Sequence, residues 1–308
     1  MIIDFHMHLG DILHEAGIKN IYSNKKIPTK FNIQRFEEVF LQFNSYKLTN
    51  YILNKYDDFY TRSVQERLKA ATLQNYRKYL KKLKSFSLKV FSDQDVKSLC
   101  MPISPYVNFD DILALSKEES AIIPFASIPI HLSGKDMLKK LNADMTIAKG
   151  LKLHPIIQGV PFDSKTTYSA LEIVKSHKKV VLLHAGASRY YLGEEKHLQH
   201  CELDNPYSAE KIIRCFPEVP FIIGHAGIYE FPLWAEIIAK YENVLVDVSV
   251  QSIKSIRNII NLYGIDRVLF ASGWPCVDLD ITLKIIQRAI NVNQLEKVLY
   301  KNALDILI

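Results

Sequence analysis

The chain has 308 residues, 48% of them hydrophobic and 23% charged, with a formal net charge of +6. That is ordinary globular material with enough apolar mass for one barrel or two smaller domains, and it excludes a disordered, collagenous or disulfide-stapled chain. Cys100, Cys201, Cys215 and Cys276 show no metal or disulfide spacing, no window approaches bilayer length, and no secretory leader opens the sequence. The expectation is a soluble, cytoplasmic protein without a membrane partner.

The first ten residues, Met1 to Gly10, carry a short apolar run, Ile2, Ile3 and Phe5, that ends in His6-Met7-His8 and a chain-reversing glycine. Period-2 alternation puts Asp4, His6 and His8 on one face of a strand, where two imidazoles can close on one ion. An isolated His-x-His is as readily a pair of hydrogen-bonded surface histidines, so its meaning depends on the rest of the chain. Residues 11–62 are polar and rich in Tyr, Phe, Asn and Lys, with helical spacing from Asn32 to Phe43. This stretch reads as a helical insertion after strand 1, either a lid over the site or a homodimer contact.

A long helical pattern follows from Val64 to Leu83. Its basic run, Arg77 to Lys84, alternates with Tyr and Leu at helical spacing and reads as a solvated face, not a nucleic-acid site. Apolar strands then alternate with helices: Val96–Met101, Ala121–Ile128, Ala148–His154, Val180–His184, Phe221–His225, Val244–Val248 and Val268–Ser272. With the first strand that makes eight, nearly continuous in Val, Ile and Leu, as strands covered on both faces must be. The fold expected is a single (β/α)8 TIM barrel spanning 1–308.

Active sites of such barrels lie at the C-terminal ends of the strands. Five of the ten histidines fall there: His6 and His8 after strand 1, His154 after strand 4, His184 after strand 5 and His225 after strand 6. Each alone reads as a satisfied core histidine. Together they make a candidate centre for a divalent ion.

The His-x-His strand, Gly150-Leu-Lys-Leu-His-Pro155, the His-Ala-Gly runs at His184 and His225, and the closing Lys301-Asn302-Ala303 resemble the amidohydrolase superfamily. The branch is the amidohydrolase-related one that includes aminocarboxymuconate semialdehyde decarboxylase and related decarboxylases and lactone hydrolases. The resemblance implies that His6, His8 and His184 bind zinc or a similar divalent ion, with His225 as acid/base or electrostatic partner of the reacting water. It also exposes a departure. The strand-8 pattern Gly-Ser-Asp-x-Pro reads Ala271-Ser-Gly-Trp-Pro275 here, so Gly273 stands where the family has its metal-binding aspartate.

Three outcomes follow. The ion stays on three histidines, Asp247 or Asp278 substitutes, or the barrel has become a catalytically silent binding scaffold. Lys152 and His154 share a strand face that can meet an anionic substrate, Arg189 is a candidate carboxylate clamp, and Trp274 a candidate pocket wall. The expected activity is metal-dependent hydrolysis of a small, carboxylated molecule, with non-oxidative decarboxylation as the alternative.

Overall fold

In the computed structural model, residues 1–15, 17–28, 59, 61–186 and 188–307 are described. Strands β1 (Ile2–Met7), β2 (Val96–Cys100) and β3 (Ile122–Pro124) form one parallel run. Strands β4 (Ala126–Ser127), β5 (Gly150–Leu153), β6 (Val180–Leu183), β7 (Phe221–Ile223), β8 (Val244–Asp247) and β9 (Val268–Leu269) form the other. Only Phe125 separates β3 from β4, so these nine segments are eight strands. The seam closes by parallel bonds from Phe5 N to Phe270 O (2.9 Å), Gly273 N to His6 O (3.1 Å) and His8 N to Trp274 O (3.0 Å). The sheet is thus a closed eight-stranded parallel barrel.

Helices cover its outer face: α1 (Leu73–Phe91), α2 (Phe109–Glu118), α3 (Gly134–Met145), the single turn α4 (Pro155–Gln158), α5 (Lys165–Ser176), α6 (Pro206–Cys215), α7 (Phe231–Lys240), α8 (Ile253–Tyr263), α9 (Leu279–Ala289) and α10 (Asn302–Leu307). The helix expected from Val64 to Leu83 is interrupted. A helical stretch at 61–69 ends in a turn, and α1 starts afresh because the Thr72 hydroxyl accepts the Asn75 amide as an N-cap and the helix then runs on to Phe91. Among the expected insertion residues, 11–15 and 17–28 form turns that bury Ile12, Leu13 and Ile21. The helical pattern at Asn32 to Phe43 lies outside the described residues.

The alternation of strand residues explains where polar groups gather. Inward-facing Ile3, Phe5, Leu99, Val180, Leu182, Ile222, Leu245 and Leu269 pack into one apolar plug, while Leu151, Leu153, Val181, Leu183 and Val246 face the helices. Two residues further along the same inner rows stand His184 after Leu182 and Asp247 after Leu245, with Lys152 and His154 on the inner row of β5. The barrel is therefore apolar at its base and polar at its C-terminal mouth.

Strand β1 departs from strict alternation. Its register with β2 shifts between Asp4 and Met7. Met7 joins the outer layer, while His6 reaches Asp247 and Lys152 inside. Asp4 does not share the histidine face: its carboxylate accepts Ser272 N (2.7 Å), Ser272 Oγ (2.6 Å) and the Tyr79 hydroxyl of α1. A bulge of this kind re-aims one side chain while the flanking ladder survives.

Candidate metal and active site

Five imidazoles, His6, His8, His154, His184 and His225, line one pocket at the barrel mouth, together with Arg189, Tyr190 and Gly273. The pocket encloses about 610 Å³, open solvent at its mouth included. The rings are in contact: His154 stacks on His184 (centroids 4.0 Å apart), His6 stacks on His225 (4.6 Å), and His6 meets His8 edge-on (5.2 Å).

One buried carboxylate organises much of this. Asp247 Oδ2 accepts from His6 Nδ1 at 2.8 Å. Its Oδ1 accepts from His225 N (3.0 Å), Ser249 N (3.0 Å) and the Ser249 hydroxyl. A carboxylate can only accept, so His6 carries its proton on Nδ1 and turns the Nε2 lone pair inward. His8 is fixed the same way, with Nδ1 on the Met101 carbonyl at 2.8 Å. Anchoring Nδ1 on an oxygen is how proteins present Nε2 to an ion. The buried Nδ1 of His154 has no hydrogen-bond partner among the described residues. The donor set therefore fits a divalent ion, with Lys152 as a neighbour: its Nζ stands 3.3 Å from His6 Nε2.

Among the described residues, the tightest group of ligand-type atoms is His6, His225 and Asp247, all within 4.8 Å of one another. Within this group Asp247 Oδ2 is bonded to His6 Nδ1, so the carboxylate anchors one imidazole and stands beside the other. His8 and His184 stand on the same pocket wall. Asp278 does not substitute for the missing strand-8 carboxylate; it is paired with Arg67 at 2.7 Å and does not line the pocket. Trp274 packs against Tyr76 and Tyr79 of α1, away from the pocket lining. Lys152 lies beneath the lining, fully buried.

The loops above the strands are strained. His225, Ala226 and Ile228 take φ of 54°, 50° and 44°, and Val250, on the pocket wall, takes 64°. Each L-residue held there costs on the order of 1–2 kcal/mol, and such strain collects where a scaffold over-determines a site. Here Asp247 holds the His225 amide and Gln251 Nε2 donates to the His225 carbonyl at 2.6 Å.

Burial shifts the protonation of every group inside. His6, His154, His184 and His225 are pushed well below the usual imidazole range and His8 down to about 3. Lost hydration is the first cause for each; next come Lys152 for His6, His8 and His154, His154 for His184, and His6 for His225. Burial also lowers the Lys152 ammonium to about 7, against the pull of Asp247 and Asp204.

These shifts predict acid instability. Below an unfolded pKa of 6.5 the unfolded chain takes up protons that the buried imidazoles refuse, so stability falls with pH, by up to about 1.4 kcal/mol per imidazole per pH unit. Asp4 and Asp204 oppose this most: burial raises the Asp4 carboxyl from 3.8 to about 6 and the Asp204 carboxyl well above the usual range, so each favours the folded state as pH falls toward 3.8, as Asp111 and Asp144 do to a smaller extent. The five imidazoles outnumber these carboxyls. Urea midpoints should drop steeply from about pH 7 to about pH 5, and a flat profile would show that the imidazoles are not held neutral.

A closed parallel barrel whose mouth presents a histidine cluster defines the class: the (β/α)8 scaffold with its polar groups gathered at the C-terminal ends of the strands. The family described as Amidohydrolase matches residues 3–307, and the chain belongs to it. Among curated proteins none matches significantly.

Solved structures share the fold. A 2,6-dihydroxybenzoate decarboxylase from Rhizobium is similar at 13% identity and a TM-score of 0.63, over 99% of this chain and 98% of that one. A probable 2-pyrone-4,6-dicarboxylic acid hydrolase from Acinetobacter baumannii, with citric acid bound, shows 11% identity and 0.58 over 99% and 98%. A 5-carboxyvanillate decarboxylase from Novosphingobium aromaticivorans, with bound manganese, shows 14% and 0.58 over 100% and 97%. No helix among the described residues is long and apolar enough to cross a membrane.

Proposed function

We propose that the chain is a metal-dependent hydrolase of the amidohydrolase type acting on a small, carboxylated molecule. The observation that carries the reading is the chemistry of the pocket wall: five imidazoles and the Arg189 guanidinium, and not one carboxylate among the described residues that line it. Lys152 adds a buried amine beneath His6. With a cation held on its inward imidazole nitrogens and the Arg189 guanidinium beside it, such a wall favours an anion, and Ile12, Val64, Leu68, Ile228 and Val250 supply an apolar side for its carbon skeleton. The names of the similar structures, a dicarboxylic acid hydrolase and two decarboxylases of aromatic acids, agree with a carboxylated substrate.

His6, His8 and His184 are the residues to hold a divalent ion, zinc in the simplest case, and such an ion supplies Lewis acidity and lowers the pKa of water. Arg189, on the pocket lining, is the residue we assign to clamp a substrate carboxylate. The Lys152 amine and His154 add polar groups on the inner row, and the neutral His225 accepts a proton from the attacking water.

Gly273 favours a second reading on the same scaffold. A base is needed to activate water but not to release carbon dioxide, so the missing strand-8 carboxylate is compatible with non-oxidative decarboxylation. Turnover of carboxylated lactones and aromatic acids in isotope-labelled water separates the two. With oxygen-18 as the label, labelled oxygen in the organic product is expected; carbon dioxide release with an organic product free of the oxygen label would establish decarboxylation. Elemental analysis should find a divalent ion in protein purified without chelators. His8→Ala and His184→Ala should each weaken binding by more than the roughly 10–100-fold typical of a supporting residue. Protein that neither contains nor takes up an ion, and turns nothing over, would be the silent binding barrel.

A further inference from the structure

We propose that Ser249 is a positioning residue that joins His225 to Asp247 and holds His225 in the Nδ1–H form, so that His225 Nε2 takes the proton-accepting place left empty at Gly273. The Ser249 side chain is fully buried between the two groups. His225 Nδ1 stands 2.7 Å from Ser249 Oγ, and the Ser249 hydroxyl in turn contacts Asp247 Oδ1.

The direction of these bonds follows from counting hydrogens. A serine hydroxyl has one proton to give, and an ionised carboxylate has none. Were that proton turned toward His225, the short contact between Ser249 and Asp247 would oppose two oxygen lone pairs. The hydroxyl therefore donates to Asp247 and must accept from His225, which puts the imidazole proton on Nδ1. Nε2 is left with its lone pair, on a ring that lines the pocket.

Asp247 thus orients two imidazoles through its two oxygens: His6 directly through Oδ2 and His225 through Ser249 on Oδ1. Both rings line the pocket and stack at 4.6 Å. A Cβ at Gly273 would come to 3.4 Å from Ser249 Cβ, so the chain carries the serine against the very position the family gives to its carboxylate.

The chemistry balances without a further reagent. As water attacks, its proton passes to His225 Nε2, the Nδ1 proton stays on its bond to Ser249, and the Asp247 carboxylate offsets the imidazolium charge. The proton on Nε2 then goes to the leaving group and restores the starting form. This last step rests on the hydrolytic reading; the tautomer does not.

The test reads the tautomer directly, by two-bond proton–nitrogen correlation spectra of protein labelled with ¹⁵N-histidine, with His225 assigned from the peaks lost in His225→Gln. Wild type should show His225 protonated on Nδ1. Ser249→Ala should shift it to the Nε2–H form or a mixture, and Ser249→Thr, which keeps the hydroxyl, should restore Nδ1–H. A wild-type His225 protonated on Nε2 overturns the inference, even if Ser249→Ala fails to fold, and so does an unchanged tautomer in folded Ser249→Ala. Protein that binds no ion and turns nothing over, yet shows the serine-dependent tautomer, overturns the enzymatic reading and leaves the positioning role in place.

Discussion

Asp247→Asn should lower affinity for the divalent ion by at least about 10–100-fold, the loss typical of a residue that orients a ligand, while leaving the barrel folded. Three of the four donors that meet Asp247 converge on Oδ1, so the amide oxygen of Asn is drawn there. Its NH₂ group then faces His6 Nδ1, formerly 2.8 Å from Oδ2. Two donors cannot share that contact, and His6 must move its proton to Nε2. The ring then offers an N–H where an ion needs a lone pair, and where Lys152 Nζ also stands at 3.3 Å. The reversed bond is no longer charge-assisted and the His6 Nε2–H now opposes the Lys152 amine, which together should cost about 1–3 kcal/mol of stability. Competition against a chelator of known affinity reads the first effect and urea unfolding the second. Unchanged ion affinity would show that Asp247 does not set the His6 tautomer.

Gly273→Asp should do the reverse and tighten ion binding, by about tenfold or more if the new carboxylate contributes even 1.4 kcal/mol. The backbone there has φ +66°, a left-handed conformation in which L-residues are strained, at a cost of about 1–2 kcal/mol. Aspartate is among the side chains that tolerate it best. There is room: a Cβ would meet Ser249 Cβ at 3.4 Å and Val250 and Val277 methyls at 3.6 Å, ordinary contacts. The carboxylate would enter a wall that otherwise carries no negative charge, so affinity for carboxylated ligands should fall as ion affinity rises. Titration with zinc and with citrate measures both. A variant identical to wild type in each would show that the Gly273 position no longer borders the ion's place.

Much of this was legible in the one-dimensional pattern. Unbroken runs such as Val180-Val-Leu-Leu183 and Phe221-Ile-Ile223 declare strands covered on both faces, because only such strands have no polar side to expose. Histidines that end those runs must lie at one end of a parallel barrel, since every strand points the same way. His6, His8, His154, His184 and His225 do line one pocket, and Gly273 lines it too. Asp4, by contrast, was placed on the histidine face by strict alternation and stands with Tyr79 and Ser272 instead. A bulge changes which residues share a face while leaving their composition untouched. Trp274 shows the same limit, since strand position alone does not say that α1 will present Tyr76 and Tyr79 to it.

The sequence by itself determined the barrel, the end of it that carries chemistry, and the absence of a strand-8 carboxylate. Those follow from hydrophobic period and chain direction, which are properties of neighbours along the chain. Only the tertiary structure decided which nitrogen of His6, His8 and His225 is anchored on an oxygen, and that Asp247 stands beside His6 and His225. Those depend on hydrogen bonds between residues far apart in sequence, His6 to Asp247, His8 to Met101 and His225 to Ser249. A hydrogen bond's direction is settled by the partner that can only accept, and that partner is known only once the strands have closed the ring.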